Sequence, residues 1–178
     1  MTGFLRFVGI LNAAVWLGGG IFFSVALAPA IFSKEMEGVL GHEYYPYFSG
    51  AIAQVLIASY FHLQLVCALI ALIHFMAEWL YLGKTAQAFW LGLVITLLCL
   101  GIVGGFWLQP KLKELHTIRY AVNTPRETRD AATRSFRTLH GTSQGINLLM
   151  LCGLAVYFWH LANPPDPTRF LSAATFRS

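Results

Sequence analysis

The stretch "FWLGLVITLLCLGIVGGFWL", residues 89–108, contains no charged side chain. A helix rises about 1.5 Å per residue, so about 20 residues of this kind cross a hydrocarbon core about 30 Å thick. Since 57% of the 178 residues are hydrophobic and only 11% are charged, the composition is that of an integral membrane protein. The apolar runs cover about residues 4–32, 50–80, 86–108 and 142–162.

Four spans of this length predict an all-α fold, a transmembrane four-helix bundle that runs up, down, up and down. We expect one domain over residues 1–163, followed by a proline-containing tail at residues 164–178. Asn163 and Pro164 supply the helix-ending signal between them.

The longest connection lies between the third and fourth spans, at residues 109–141. It contains "TPRE", in which a threonine precedes a proline and a glutamate follows three residues after the threonine, a pattern typical of helix starts. We therefore expect Thr124 to cap a helix that begins at Pro125 and continues to about residue 162. The segment before it has apolar residues at helical spacing: Leu112, Leu115 and Ile118. The sequence predicts that helices three and four extend beyond the bilayer as a hairpin.

The positive charges are divided unequally between the two sides of such a bundle. One side has Arg6, Lys84, Arg169 and Arg177. The other side has Lys34, Lys111, Lys113, Arg119, Arg126, Arg129, Arg134 and Arg137. Because short cytoplasmic loops are enriched in lysine and arginine, this distribution predicts a cytoplasmic hairpin and both termini outside the cytoplasm. Membrane insertion explains the net charge of +4, so we expect membrane lipids and no nucleic acid as partners.

Polar residues continue into the fourth span, where a lipid-facing helix would lose them. At 100° per residue, His140, Ser143, Gln144 and Asn147 fall on one face. Unsatisfied polar groups in lipid cost several kcal/mol each, so this face is expected to turn toward protein or a wet cavity. A neighbouring stripe of small residues is predicted to allow close helix approach; it contains Gly141, Gly145 and Cys152.

The first two spans have polar stripes of their own. Those of the second span are Tyr60, Gln64, Cys67, His74 and Glu78, and the first span adds Asn12 and Trp16. We therefore predict a ligand-binding cavity inside the bundle. Its lining would consist of Asn12, Trp16, Gln64, His140, Ser143, Gln144 and Asn147. His42 and His116 are interpreted as loop residues.

Two metal hypotheses follow from the same stripes. His74 and Glu78 lie one helical turn apart and could bind one ion. Three cysteines near mid-span, Cys67, Cys99 and Cys152, would suit a soft ion such as copper(I), although buried cysteine is ordinarily a small hydrophobic residue. Haem ligation by two histidines at one depth is not supported by His74 and His140, which lie toward opposite ends of the bundle.

The alternative interpretation of the stripes is structural. Gln64, Ser143 and Asn147 would then only form hydrogen bonds to neighbouring helices. The chain contains no P-loop, HExxH or CxxC motif, and its GxSxG match at residues 141–145 falls within the predicted fourth helix instead of a turn between strand and helix. Hydrolase and nucleotide-binding functions therefore have no support, and an enzyme is not favoured.

Two segments resemble a known family. "WLGGGIFFSVALAPAIF" at residues 16–32 and "FRTLHGTSQGINLL" at residues 136–149 are similar to four-span proteins of the transmembrane-protein-205 type, whose bacterial members are a domain of unknown function. The first segment also resembles copper-resistance D-type proteins and four-helix protoporphyrinogen oxidases. Those oxidases are expected to have a histidine in the first helix, where this chain has Leu11 and Asn12. The resemblance implies the fold, and it links the superfamily to copper and haem.

Three functional hypotheses result. The first is a non-enzymatic protein of a bacterial inner membrane that binds a small ligand or metal ion, possible cofactors being copper or haem, in a transport or handling role. The second is an accessory or scaffold subunit that forms a homo-oligomer or binds another membrane subunit. The third is a haem- or porphyrin-binding redox protein.

The orientation can be tested with protease in sealed inside-out and right-side-out vesicles. We expect cleavage within residues 109–141 only in inside-out vesicles, because the positive charges retain this connection in the cytoplasm. A tag at either terminus should be removed only in right-side-out vesicles. Cleavage of the connection from the outside alone would reverse the predicted orientation.

Overall fold

The computed structural model describes residues 2–82 and 88–163 of this chain. The helices are α1 (Thr2–Phe22), α2 (Ala28–Ile31), α3 (Lys34–Leu40), α4 (Tyr45–Leu82), α5 (Ala88–Val103), α6 (Gln109–Tyr120) and α7 (Arg126–Ala162), with π-helical turns at Phe23–Leu27 and Gly104–Leu108. Residues 83–87 and the predicted tail at residues 164–178 lie outside the described residues.

The described residues form a bundle of four long antiparallel helical segments. Four helical segments are long and apolar enough to cross a membrane: Gly3–Ile31, Tyr45–Tyr81, Ala88–Tyr120 and Arg126–Ala162. Both α1 and α5 pack against α4 and against α7, so α1 and α5 occupy opposite corners of the bundle. The predicted all-α membrane bundle is therefore confirmed.

The core lies where α1, α4, α5 and α7 meet. Trp16 is 1% exposed and contacts Tyr157 edge-on, with 6.5 Å between the ring centroids. Small residues beside these rings let the backbones approach each other. The buried apolar cluster is Ala13, Trp16, Cys67, Ala68, Ala71, Val94, Leu97, Met150, Leu154 and Tyr157.

Each π-helical turn ends two residues before a proline. Leu27 precedes Pro29 and Leu108 precedes Pro110 in this way. Proline has no N–H and its ring clashes with the carbonyl four residues earlier, so an α-helix cannot continue unchanged through it. One wider turn, closed by Ala28 N–H to Phe23 O in the first span, admits the proline without ending the helix.

The two wide turns lie at the same height in the bundle. The ring of Phe23 stacks on Tyr60 at 4.4 Å between centroids. On the next face of α4, Phe61 fills the space beside Gly104, where an added Cβ would lie only 2.2 Å from its Cε1 atom. Tyr60 and Phe61 are adjacent, so the π turns flank one level of α4.

The segment after Pro110 is helical and packs along the first half of α7. Leu112 and Leu115 are buried, as their spacing predicts. Arg129 donates a hydrogen bond to the Ala121 carbonyl at 3.2 Å, which holds the two arms together at the turn.

The start of α7 differs from the expectation. The helix begins at Arg126, its cap position is Pro125, and no side chain bonds to the first amides. Pro125 adopts an extended ψ of 145°, so Thr124 is one residue too distant to act as the cap. The predicted capping by Thr124 is therefore wrong by one residue, although the helix is present.

Candidate functional site

Three hydrogen bonds join the first helix to α4. The Asn12 side chain donates to the carbonyl of Cys67 at 2.9 Å, and the Trp16 indole donates to Oε1 of Gln64. Toward the terminal side, Nε2 of His74 bonds to the carbonyl of Leu5 at 2.8 Å. Because a carbonyl only accepts, Nε2 of His74 must bear the proton.

A second set of bonds joins α4, α7 and the first π turn. The Tyr60 hydroxyl donates to Oδ1 of Asn147 at 2.9 Å, and Nδ2 of Asn147 donates to the Ser24 hydroxyl at 2.8 Å. Ser24 in turn donates to the Gly20 carbonyl at 2.8 Å. Because the Ser24 hydroxyl donates to Gly20, it can only accept from Asn147. This fixes the orientation of the Asn147 amide, with Nδ2 toward Ser24 and Oδ1 toward Tyr60.

Glycines make these contacts possible at two positions. A Cβ at Gly9 would lie 2.6 Å from the His74 ring, and a Cβ at Gly20 would lie 2.7 Å from Cδ2 of Leu151 and 3.3 Å from the Tyr60 hydroxyl. Real Cβ atoms do not tolerate such separations, so any larger residue would displace its neighbours. The small-residue spacing of the first span therefore does serve close packing.

One buried donor in this region lacks a partner. Gln64 is 1% exposed, and its Nε2 atom forms no hydrogen bond. The orientation of this amide follows from chemistry, because the Trp16 indole N–H can only donate and must face the Gln64 oxygen. The remaining nitrogen is a donor that lies within 4 Å of the Cβ position of Gly20, beside the Tyr60 hydroxyl. A buried donor without an acceptor costs about 1–3 kcal/mol.

The structure brings part of the predicted ligand set together and leaves part of it outside. Asn12, Trp16, Gln64 and Asn147 lie between the helices, arranged as successive layers over about two turns of α4 rather than at one depth. Gln144, by contrast, is exposed on the outer surface of α7. Its prediction as an inward residue does not agree with this position.

His140 and Ser143 also lie apart from the central layers. His140 is half-buried and stacks on Phe136, with 5.8 Å between ring centroids. Ser143 donates back to the His140 carbonyl of its own helix at 2.7 Å. Gly141 and Gly145 are exposed with no neighbouring atom within 4 Å of their Cβ positions. The predicted close approach at this pair of glycines is therefore not formed within the chain.

The metal hypotheses receive little geometric support. In the part of the chain that the structure describes, no three side chains of His, Cys, Asp or Glu come together. Cys67 is buried in the core, whereas Cys99 and Cys152 are exposed. The three-thiolate arrangement is thus not formed, because similar depth along the bundle does not place residues on facing sides of their helices. Glu78 is half-buried one turn after His74.

Sequence reasoning missed two buried polar residues near the hairpin. His116, interpreted as a loop residue, is 6% exposed within α6 and stacks on Tyr47 at 5.6 Å. Its Nε2 atom packs against Gly50, where a Cβ would lie 2.2 Å away. Gln54 on α4 is 7% exposed. The signal for His116 was available, since it follows Leu112 at i+4 on the same apolar stripe.

The sequence comparison adds one finding. The family described as "Domain of unknown function (DUF4149)" matches residues 11–121, more than half of the chain. This chain belongs to that family. The matched region includes the 16–32 segment and the α1–α4 hydrogen bonds of Asn12 and Trp16. It begins after Leu5 and ends before the 136–149 segment. No curated protein and no solved structure matches the chain.

Replacing Asn147 with leucine should destabilise the bundle. The change keeps the branching and the number of heavy atoms but removes the acceptor of Tyr60 and the donor to Ser24. Hydrogen bonds between membrane helices contribute about 0.6 kcal/mol on average and up to about 1.7, so we expect a loss of about 1–2 kcal/mol in unfolding by increasing mole fractions of dodecyl sulfate. Gln144→Leu, on the exposed face of the same helix, removes no hydrogen bond to another helix and should not lower the free energy of unfolding. Equal losses would contradict the assigned network.

Proposed function

We propose that this member of the DUF4149 family binds a small hydrogen-bond acceptor inside its transmembrane bundle, in a transport or handling role. The single observation that carries the proposal is the amide nitrogen of Gln64, which is fully buried, has a fixed orientation and forms no hydrogen bond of normal geometry, with the Tyr60 hydroxyl as its polar neighbour. Buried polar groups are nearly always hydrogen-bonded, so an exception indicates a bound water or ligand.

The chemistry of the surrounding groups limits the occupant. Gln64 offers an N–H, so the occupant must present a lone pair, as water, a carbonyl group or a small anion does. The Tyr60 hydroxyl already gives its proton to Asn147, so toward the occupant it can only accept. A molecule that both accepts and donates would satisfy both side chains. Gly20 lies beside both groups and has no side chain of its own, and Leu151 packs against it.

A metal ion is a poorer occupant at this position. A cation would face the N–H of Gln64 instead of a lone pair, and hard or soft metals alike bind oxygen, nitrogen or sulfur lone pairs. The hypothesis of a metal at His74 and Glu78 rests on their spacing of one helical turn, and the hypothesis of haem rests on the resemblance to haem-pathway proteins. The similarity to transmembrane-protein-205-type proteins likewise stays a prediction from the two motifs.

The proposed location is a bacterial inner membrane, with both termini outside the cytoplasm. The distribution of lysine and arginine supports this orientation. Under it, the hairpin formed by α6 and the first half of α7 would lie on the cytoplasmic side, and Gln64 would lie within the membrane.

The proposal can be tested with formate and formamide, the smallest carboxylate and amide that accept hydrogen bonds. We expect at least one of them to raise the thermal unfolding midpoint of the purified protein as its concentration increases. At 100 times its dissociation constant, the added free energy of unfolding should be about 2.7 kcal/mol. In Gln64→Leu, which removes the donor and keeps the volume, the concentration-dependent rise should vanish.

The matched control is Gln144→Leu, the same substitution at an exposed position of α7. It should keep the full ligand-dependent rise. A midpoint that neither compound raises, or a rise that persists in Gln64→Leu, would contradict the proposal. Because the comparison is between midpoints with and without the added compound, a lower baseline stability of Gln64→Leu does not affect it.

A second candidate function is that of an accessory or oligomer-forming subunit. The observation that favours it is the exposed amide of Gln144 between Gly141 and Gly145, which have open space beside them. An amide exposed to lipid is costly, and a neighbouring helix of another subunit would satisfy it.

This second function predicts self-association or association with another membrane protein through α7. Gly145→Leu should shift the native mass of the detergent-solubilised protein, measured by light scattering, from the larger species toward the monomer. Gly92→Leu, at an exposed glycine of α5 with open space, should leave the native mass unchanged. A wild-type protein that is monomeric and co-purifies with no other chain would exclude this function.

A further inference from the structure

We propose that a groove on the outer surface of the bundle binds the ring of a membrane-soluble quinol. The groove lies between α4 and the second π turn, on the side of α4 away from the α1 contacts. Its volume is about 90 Å³. The lining residues are Ala58, Phe61, His62, Leu65, Gly101, Gly105, Phe106 and Gln109.

The π turn and the glycines create this groove. Gly101 and Gly105 lie one helical turn apart and present no side chain to α4. A Cβ at Gly101 would have nothing within 4 Å, so the space beside it is empty. Phe61 forms one wall, and Phe106, which is 72% exposed, forms part of the rim. The groove is therefore apolar and aromatic and opens toward lipid.

His62 gives the groove its chemical specificity. Its Nδ1 atom lies 2.8 Å from the carbonyl of Ala58, and since a carbonyl only accepts, Nδ1 must bear the proton. A charged imidazole on a membrane-spanning surface is strongly disfavoured, so the neutral form is expected. The Nε2 atom of the neutral ring then presents a lone pair at the groove, and its partner must be a hydrogen-bond donor.

Gln109 supplies a second acceptor. Its Nε2 atom lies 3.5 Å from the carbonyl of Gln54, which leaves the side-chain oxygen available. The groove thus has two hydrogen-bond acceptors, Nε2 of His62 and the side-chain oxygen of Gln109, within an apolar surface. A lone pair facing hydrocarbon is costly, so a lipid-soluble molecule with hydroxyl donors would be stabilised here.

The size of the groove selects a single ring. A closed cavity of about 150 Å³ binds benzene, so about 90 Å³ with one open side accommodates the edge of one six-membered ring and leaves the rest in lipid. A benzoquinol combines a flat ring, two hydroxyl donors and an apolar chain that remains in the bilayer. The oxidised quinone has the same shape, but its carbonyl oxygens cannot donate to His62.

The test uses radiolabelled decyl-benzoquinol and the corresponding quinone under nitrogen. The protein is placed in palmitoyl-oleoyl-phosphatidylcholine nanodiscs, whose headgroups offer no hydrogen-bond donor, and empty nanodiscs measure simple partitioning. We expect saturable binding above the empty discs, with the quinol bound roughly tenfold more tightly than the quinone, since one hydrogen bond contributes about 1 kcal/mol or slightly more.

Variants test whether quinol binding depends on the groove. His62→Phe keeps a ring and removes the acceptor, so quinol affinity should fall roughly tenfold to that of the quinone, whereas His62→Gln keeps an acceptor and should retain part of the preference. Gly101→Val should weaken both ligands by filling the empty space. Gly92→Val makes the same change on the same helix outside the groove and should bind as the wild type does.

Several outcomes would overturn this site. They are equal affinity for quinol and quinone, unchanged binding in His62→Phe or Gly101→Val, and binding no greater than in empty nanodiscs. The groove is independent of the acceptor proposed beside Gln64, because it lies on another face of α4. Gln64→Leu should therefore bind the quinol normally, and either proposal can fail without the other.

Discussion

The hydrogen bond from the Trp16 indole to the Gln64 amide fixes how the first helix lies on α4. Both side chains are almost completely buried, and neither has water as an alternative partner within a membrane, so rotation of either helix would leave an unpaired polar group. Asn12 and His74 make the same kind of contact further along α4, toward its C-terminal end. The packing of the apolar core follows from this alignment, because the residues between the bonds have no freedom to slide.

The polar residues inside the bundle differ in whether helix packing alone explains them. The side-chain amides of Asn12 and Asn147 donate hydrogen bonds to other helices, and helix packing accounts for both residues. Gln64 has a second donor that forms no hydrogen bond of normal geometry, although the Tyr60 hydroxyl lies beside it. Polar residues that look equivalent in the sequence therefore differ in whether their hydrogen-bonding capacity is used, and this difference becomes visible only when the partners are in place.

The four spans could be predicted from the sequence because membrane insertion depends on length and composition. The inward position of Asn12, Trp16, Gln64 and Asn147 also followed from the faces that they share. Angles around a helix say which residues share a face, but they do not say whether the face meets protein or lipid. This is why Gln144 and the glycines beside it were placed inside and are exposed. His116 was missed for another reason, since a polar residue next to Leu115 continues the apolar stripe only when its i+4 relation to Leu112 is counted.

The two π turns place the widest turns of two diagonally opposite helices at one height, beside Tyr60 and Phe61. A proline follows each π turn and removes one backbone N–H from the hydrogen bonds of the helix. The backbone of these two helices therefore bends most easily at this level. The other two long helices, α4 and α7, continue without interruption past this level. The level contains the Tyr60–Asn147–Ser24 bonds on its inner side and the groove of His62 on its outer side, so a change in the bend at either π turn would alter the surface beside it.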